Sequence, residues 1–424
     1  MFSFGGSGGD ADERDPFREL MIVNPKVLNT DRAKAGGEWH FSTLMRNMLP
    51  SDTRNPMATA EFIETWLNRF ATVTEVAGTD DAIATRNTVF DEIICPWRNA
   101  STGREDCSGR IDPNIAPFRL LAIVYRPDLR DNSCGQAGEG RLVFGLIDNH
   151  STSPQTNGDG RSMTVIFEYG LPTHSHDAVD WANRWTSLSQ HSCGKWRCSR
   201  TYKNEVAKIV ADFAGADADP SKPFGNALNQ LRTNEIELAA PWELREFHLR
   251  NAGGGAELQQ VTVKVTPKSS LNNSDELVEF IKANEQAVRS FQLDIPERML
   301  GASAQTVAIP FVNNITSKWL VGRRDLPEDL RFAFASQTCN GCHGDESRLA
   351  SLGNLRQEDT IETIGLFYHI SPNARPGRDG QGILSSFLKD EDIPRRVGVV
   401  ENILANGCRS FAIPCRLARN GPAS

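Results

Sequence analysis

The sequence predicts an α+β protein: a body of mixed helices and antiparallel strands, then a small, mainly α-helical C-terminal module. Three observations carry that reading. Apolar residues recur at helical spacing in the early part of the chain. Short runs rich in β-branched and aromatic residues follow, each bounded by Gly, Pro, Asp or Asn. From about residue 325 the chain is again helix-like and loop-like.

Residues 1–18 open with "MFSFGGSGGDADERD", a Gly/Ser tract running into charge, and are expected to be a flexible lead. Trp39, Phe41, Leu44, Met45 and Met48 share one helical face, and Phe62, Trp66, Leu67 and Phe70 another, so two amphipathic helices are expected. "RNTVFDEIICPW" suggests a third helix, stopped at Pro96. "FRLLAIVY", "GRLVFGLID" and "MTVIFEYG" read as strands of a shared sheet. Two helices should follow, one carrying Trp181, Trp185 and Leu188, the other Val206, Ile209, Val210 and Phe213. "WELREFHLR" and "ELQQVTVKV" flank "NAGGGA", a hairpin signal, with Val261, Val263 and Val265 in strict alternation. "NNSDELVEFIKANEQAV" reads as a helix capped by Ser274 or Asn273. Residues 19–320 thus form an α+β body of one or two lobes, and residues 325–424 a separate small module.

Composition narrows the function classes. A net charge of −8 and a pI of about 5.6 repel nucleic acid and anionic lipid, so no nucleic-acid partner is expected. No apolar run approaches the ~18 residues that a membrane span needs. Nine cysteines are many for a reducing compartment, and several are close in sequence: Cys95 with Cys107, Cys193 with Cys198, Cys339 with Cys342, Cys408 with Cys415. Cys134 is left over, and Cys107 could equally take it. Short-range pairs of this kind point to disulfides and to a periplasmic or cell-surface location. The N-terminus lacks a basic n-region and an apolar h-region, so the export signal is expected to be absent from this chain. Its Gly/Ser tract suits the start of a mature exported protein or of a lipid tether.

The stretch with the most chemistry is "SQTCNGCHGDE", residues 336–346. C-x-x-C-H is the attachment signature of c-type haem. In that reading Cys339 and Cys342 form thioethers to one covalent haem, and the adjacent His343 offers its imidazole to the iron. Gly341 and Gly344 would let the backbone approach the porphyrin edge. Two other readings stay open: a redox or structural Cys339–Cys342 disulfide with His343 incidental, and zinc held by Cys339, Cys342, His343 and His369. Against zinc stand the use of adjacent ligands and the lack of a second C-x-x-C.

The stretch also resembles the start of a small c-type cytochrome, with a helix carrying Phe332 and Phe334 running into the cysteine turn. That resemblance covers about a quarter of the chain and implies a methionine downstream as second axial ligand. No methionine follows Met299. His369, in "GLFYHISP", is the one histidine beyond His343 and the candidate for that position. A bis-histidine iron would have a low reduction potential; if the sixth position is open instead, the iron could bind small molecules. The blocks "APFRLLAIVYRPDLRD", "GEGRLVFG", "VIFEYGLP" and "LNQLRTNEI" are similar to a group of large exported bacterial proteins that also end in a C-x-x-C-H segment. That likeness transfers no catalytic residue.

Weaker signals remain. "THSHD" sets His174, His176 and Asp177 where they could share a metal with His150 or His191, or simply form a loop with Asp177 as helix cap. "GGSGG" matches a nucleophile-elbow pattern but lacks the flanking strand and helix. "NALNQLRTNEIELAAPWELREF" could hold a buried polar network or line a cleft. The functional expectation is an exported monohaem c-type cytochrome transferring electrons to an unknown redox partner protein. The alternatives are a peroxidase-like haem enzyme with an open distal site, and a haem-free binding or surface protein stapled by disulfides.

Overall fold

The computed structural model describes residues 15–72, 76, 83–130, 136–147, 160–174, 176–239, 242–305, 319–320, 322–343, 368–374 and 376–407. Its centre is an antiparallel sheet. Strands β1 (Met21–Ile22), β2 (Phe118–Arg126), β3 (Glu139–Ile147), β4 (Gly160–Gly170), β5 (Leu228–Glu235) and β6 (Glu243–Ala252) lie side by side in chain order. The far edge of β6 is shared by β7 (Gly255–Val261) and the short β10 (Ala304–Gln305). The β6–β7 hairpin turns through Gly253 and Gly254, both with positive φ, a conformation that glycine adopts without steric cost. Beyond Val261 the valine alternation does not continue as one strand. It breaks at Thr262, and β8 (Val263–Pro267) leaves the sheet to pair with β9 (Leu300–Gly301).

Because strand side chains alternate, the sheet has two different faces. Phe118, Leu120, Ile123, Tyr125, Leu142, Phe144, Val165, Phe167, Tyr169, Leu231 and Phe247 face the main hydrophobic core. Helices Phe41–Asn47, Pro56–Thr72, Ala178–Thr186 and Arg200–Ala214 cover that face with the apolar stripes their spacing predicts. Aromatic residues bind the two layers, as where Tyr125 stacks on Trp185 at 5.2 Å between ring centres.

Pro96 does not stop its helix. A π turn over Phe90–Ile94 runs unbroken into Cys95–Thr102, and this wider turn accommodates Pro96 inside the helix. Gly103 ends it in the left-handed conformation. Disulfides join Cys95 to Cys107 and Cys193 to Cys198. Cys134, Cys408 and Cys415 lie outside the described residues.

The second face of the sheet is covered by the C-terminal part of the chain. Met21, Val23, Leu121, Val124 and Val143 pack against Ile383, Leu384, Leu388 and Ile393. Packing is continuous across the expected boundary near residue 325. A second core joins Leu277, Ile281 and Val288 to Trp319, Leu330 and Phe334. Val400 and Ile403, on the helix Ile393–Asn406, belong to the main core.

Candidate functional site

The cysteine turn is built by its own local bonds. Helix Glu328–Ala335 leads into Thr338, which caps the short helix Cys339–Cys342. The Thr338 hydroxyl accepts from the Gly341 amide at 3.1 Å and donates to the Ala335 carbonyl at 2.8 Å. A Cβ on Gly341 would stand 2.2 Å from the Ala335 oxygen, so the turn itself demands glycine there. That reason precedes any need to approach a porphyrin.

Cys339 and Cys342 are unbridged and half-buried. The Cys339 amide donates to Thr266 Oγ1 at 3.3 Å, which pins the turn to β8. Burial raises the pKa of Cys339. Burial, with Asp392 adding to it, pushes the Cys342 thiol up to about 12, so both sulfurs are neutral thiols at neutral pH.

His343 and His369 are brought together, with ring centres 4.7 Å apart. His343 stacks on Trp242 at 5.2 Å, and His369 lies 5.3 Å from the Phe387 ring. His369 Nε2 is 3.1 Å from the Cys342 carbonyl oxygen, which can only accept, so Nε2 carries the proton. Nδ1 then accepts from Ser385 Oγ at 2.9 Å. Burial lowers the His369 pKa to about 4, so the ring is neutral. Two imidazoles on opposite sides of one metal have ring centres about 6 Å apart, given metal–nitrogen bonds near 2 Å. The histidines are closer than that, and His369 faces Cys342 rather than standing across a gap from His343.

All four residues line one cavity of about 1820 Å³ between the turn and the second face of the sheet. That exceeds the roughly 300–1,000 Å³ common for small-molecule pockets. Its floor is polar: Glu139, Arg141, Glu168, Gln230, Arg232, Asn234 and His248. The dense stretch after Ala227 therefore both lines a cleft and holds a buried network. Arg232 spans it, donating to Glu246 Oε2 from Nη2 at 2.8 Å and from Nε at 2.9 Å, with Glu168 Oε2 3.6 Å from its Nη1. Arg141 Nη1 lies 2.9 Å from Glu168 Oε1, and its Nη2 2.6 Å from Glu139 Oε2. Burial alone would raise the Glu246 pKa, but Arg232, with His248, holds it at about 2. Val124, Ile166, Phe332, Ile370 and Leu388 supply the apolar wall.

Residues of the floor were missed as site residues because each strand separately reads as an ordinary half-polar strand. The one sequence signal was the density of Asn, Gln, Arg and Glu at alternate positions of β5 and β6.

The other histidine cluster is a loop. Asp177 caps Ala178–Thr186, accepting from Val179 at 2.8 Å and Asp180 at 2.9 Å. His174 is exposed, and His176 packs edge-on against Trp181. His150 lies outside the described residues. Among the described residues no group of three or more His, Cys, Asp or Glu is arranged to hold a metal ion, the proposed zinc set included. No helix among them is long and apolar enough to cross a membrane.

Comparisons with protein-family models, curated proteins and solved structures return no match. The chemistry of the site is therefore read from its residues. Two neutral, unbridged thiols three positions apart, an adjacent imidazole and a cavity with one apolar wall fit a c-type haem in donor type and in room.

Proposed function

We propose that this chain is an exported monohaem c-type cytochrome. The observation that carries the proposal is the convergence of Cys339, Cys342, His343 and His369 on one large cavity, with the two cysteines left unbridged. Cys339 and Cys342 would hold the vinyl edge of one covalent haem c, and His343 its iron. The haem would supply reversible one-electron chemistry. The chain supplies the rest: Trp242 fixes the His343 ring, and the apolar wall keeps water from that side of the cavity. The disulfides Cys95–Cys107 and Cys193–Cys198 support an oxidising compartment, periplasmic or at the cell surface.

His369 decides between two forms of the proposal. As sixth ligand it gives a closed, low-potential electron carrier. Its present bonds to Cys342 and Ser385, and the cavity's volume beyond ordinary pocket size, favour a second reading: a haem enzyme whose sixth position stays open.

The test is an absorption spectrum, oxidised and dithionite-reduced, of protein matured with periplasmic haem-attachment machinery, followed by denaturation. Colour that stays with the denatured chain is expected, and colourless protein would refute the haem reading. A low-spin spectrum that turns high-spin in His369→Ala identifies the electron carrier. A ferrous form that binds carbon monoxide at once, in wild type and variant alike, identifies the open site.

A further inference from the structure

The cavity wall formed by the end of β2 and the start of the helix Ile393–Asn406 holds more positive charge than it neutralises. Arg126, at the end of β2, meets Arg395 and Arg396 from the first turn of the helix Ile393–Asn406. Two carboxylates face them, the buried Asp128 and the partly buried Asp392. Arg130 also lines this wall and interacts with Asp128, so four guanidiniums stand against two carboxylates. Arg126 bonds Asp128 twice, from Nε at 2.9 Å and Nη2 at 2.7 Å. Arg395 Nη2 bridges Asp128 at 3.0 Å and Asp392 at 2.7 Å. Arg396 has Asp392 on Nη2, while its Nε and Nη1 are buried without a hydrogen-bond partner. Its side chain is 5% exposed and lines the cavity.

Two unmatched guanidinium donors in a buried wall are costly unless a ligand completes them. Asp390 and Glu391 also line the cavity, but both are exposed to solvent, where screening weakens their pull. Glu139 is already held by Arg141 and Asn229. Burial, and the crowding by Arg126, lower the Arg396 pKa to about 10, as expected where cations outnumber anions.

We infer that Arg396 is the seat for one carboxylate on the molecule that occupies this cavity. A carboxylate supplies both the negative charge and the acceptor oxygen that the unpartnered Arg396 donors lack. Two sources carry that chemistry, a haem propionate and a free organic acid. The assignment to a propionate rests on the haem reading; the seat itself rests on the arginines.

The experiment titrates the full chain, prepared without haem, with haemin and with haemin dimethyl ester, followed by absorption. Calorimetric titrations with acetate, benzoate and inorganic phosphate run beside it. A haemin affinity at least tenfold above that of the ester is expected. That preference should vanish in Arg396→Gln with ester binding unchanged, and grow in Asp392→Asn, which frees more of the guanidinium. Equal binding of haemin and ester by the unaltered chain would overturn the propionate assignment whatever the variants do. If neither porphyrin binds, the haem reading fails separately. In that case one-to-one heat from acetate or benzoate, absent in Arg396→Gln, keeps the seat with a free acid as its source. No heat from any of these anions would overturn the seat.

Discussion

Gly341 sits between the two cysteines with the Ala335 carbonyl so close that a methyl group would press 2.2 Å from its oxygen. Backbone, unlike a flexible side-chain end, cannot step aside cheaply. Gly341→Ala is therefore expected to cost about 1–3 kcal/mol, the range for inserting a methylene where no room exists. Urea denaturation would measure it. A change below about 0.5 kcal/mol would show that the turn can relax. Thr338 supports the same turn from inside, buried and bonded in both directions, so the cysteines and His343 are held by the body of the protein before any cofactor arrives. The spacing of the motif was legible in the sequence. The dependence of its glycine on a carbonyl six residues earlier was not, because that contact exists only once the helix has ended.

At the scale of elements, β5 and β6 contribute one apolar and one charged face each, and Arg232 ties the charged faces together. Arg232→Leu leaves Glu246 and Glu168 without their shared cation, and breaking a buried pair in this way costs about 3–5 kcal/mol. The pH dependence gives a second readout. Glu246 lies at about 2 against an ordinary 4.5, so its contribution is complete above pH 4.5 and is lost as pH falls toward 2. In the variant burial dominates and the carboxyl prefers its proton, so the stability gap to wild type should narrow as pH drops below neutrality. A gap that stays constant from pH 7 to pH 3 would place the cost in lost packing instead. These strands were legible from their alternation and bounding turns, as were the helices with Trp66 and Trp185, because burial on one side imposes a period. Two local readings failed where another force outweighed the pattern. Pro96 was absorbed by a π turn, and the valines after Val261 were divided when β8 found a partner in β9. The cavity floor was half-legible: its composition stood out, but which strands would lay those residues side by side depends on sheet order.

Across the whole molecule the segment that carries the cysteine turn shares apolar cores with the body. The helix leading to it shares a core with residues 277–300, and the last described helix places Val400 and Ile403 in the core beneath the sheet. The loop between them also docks closely: Gly380, with φ +86, lies where a Cβ would stand 1.9 Å from the Val23 carbonyl oxygen. Short periodic stretches suggested a boundary near residue 325 because sequence patterns are local, while these contacts span much of the chain. Cores shared in this way should melt together. If the proposed haem is attached, the loss of native Soret absorption and the loss of far-ultraviolet ellipticity are expected to share one thermal midpoint, with van't Hoff and calorimetric enthalpies in agreement. An early Soret transition, several degrees below the melting of the sheet, would mean that the residues around the cysteines open independently. Val400→Asp sharpens the comparison, because it places an unpaired charge in the main core without touching the cavity. If the molecule is one cooperative unit, that variant lowers both midpoints equally; if the C-terminal part is autonomous, the haem signal moves and the sheet holds.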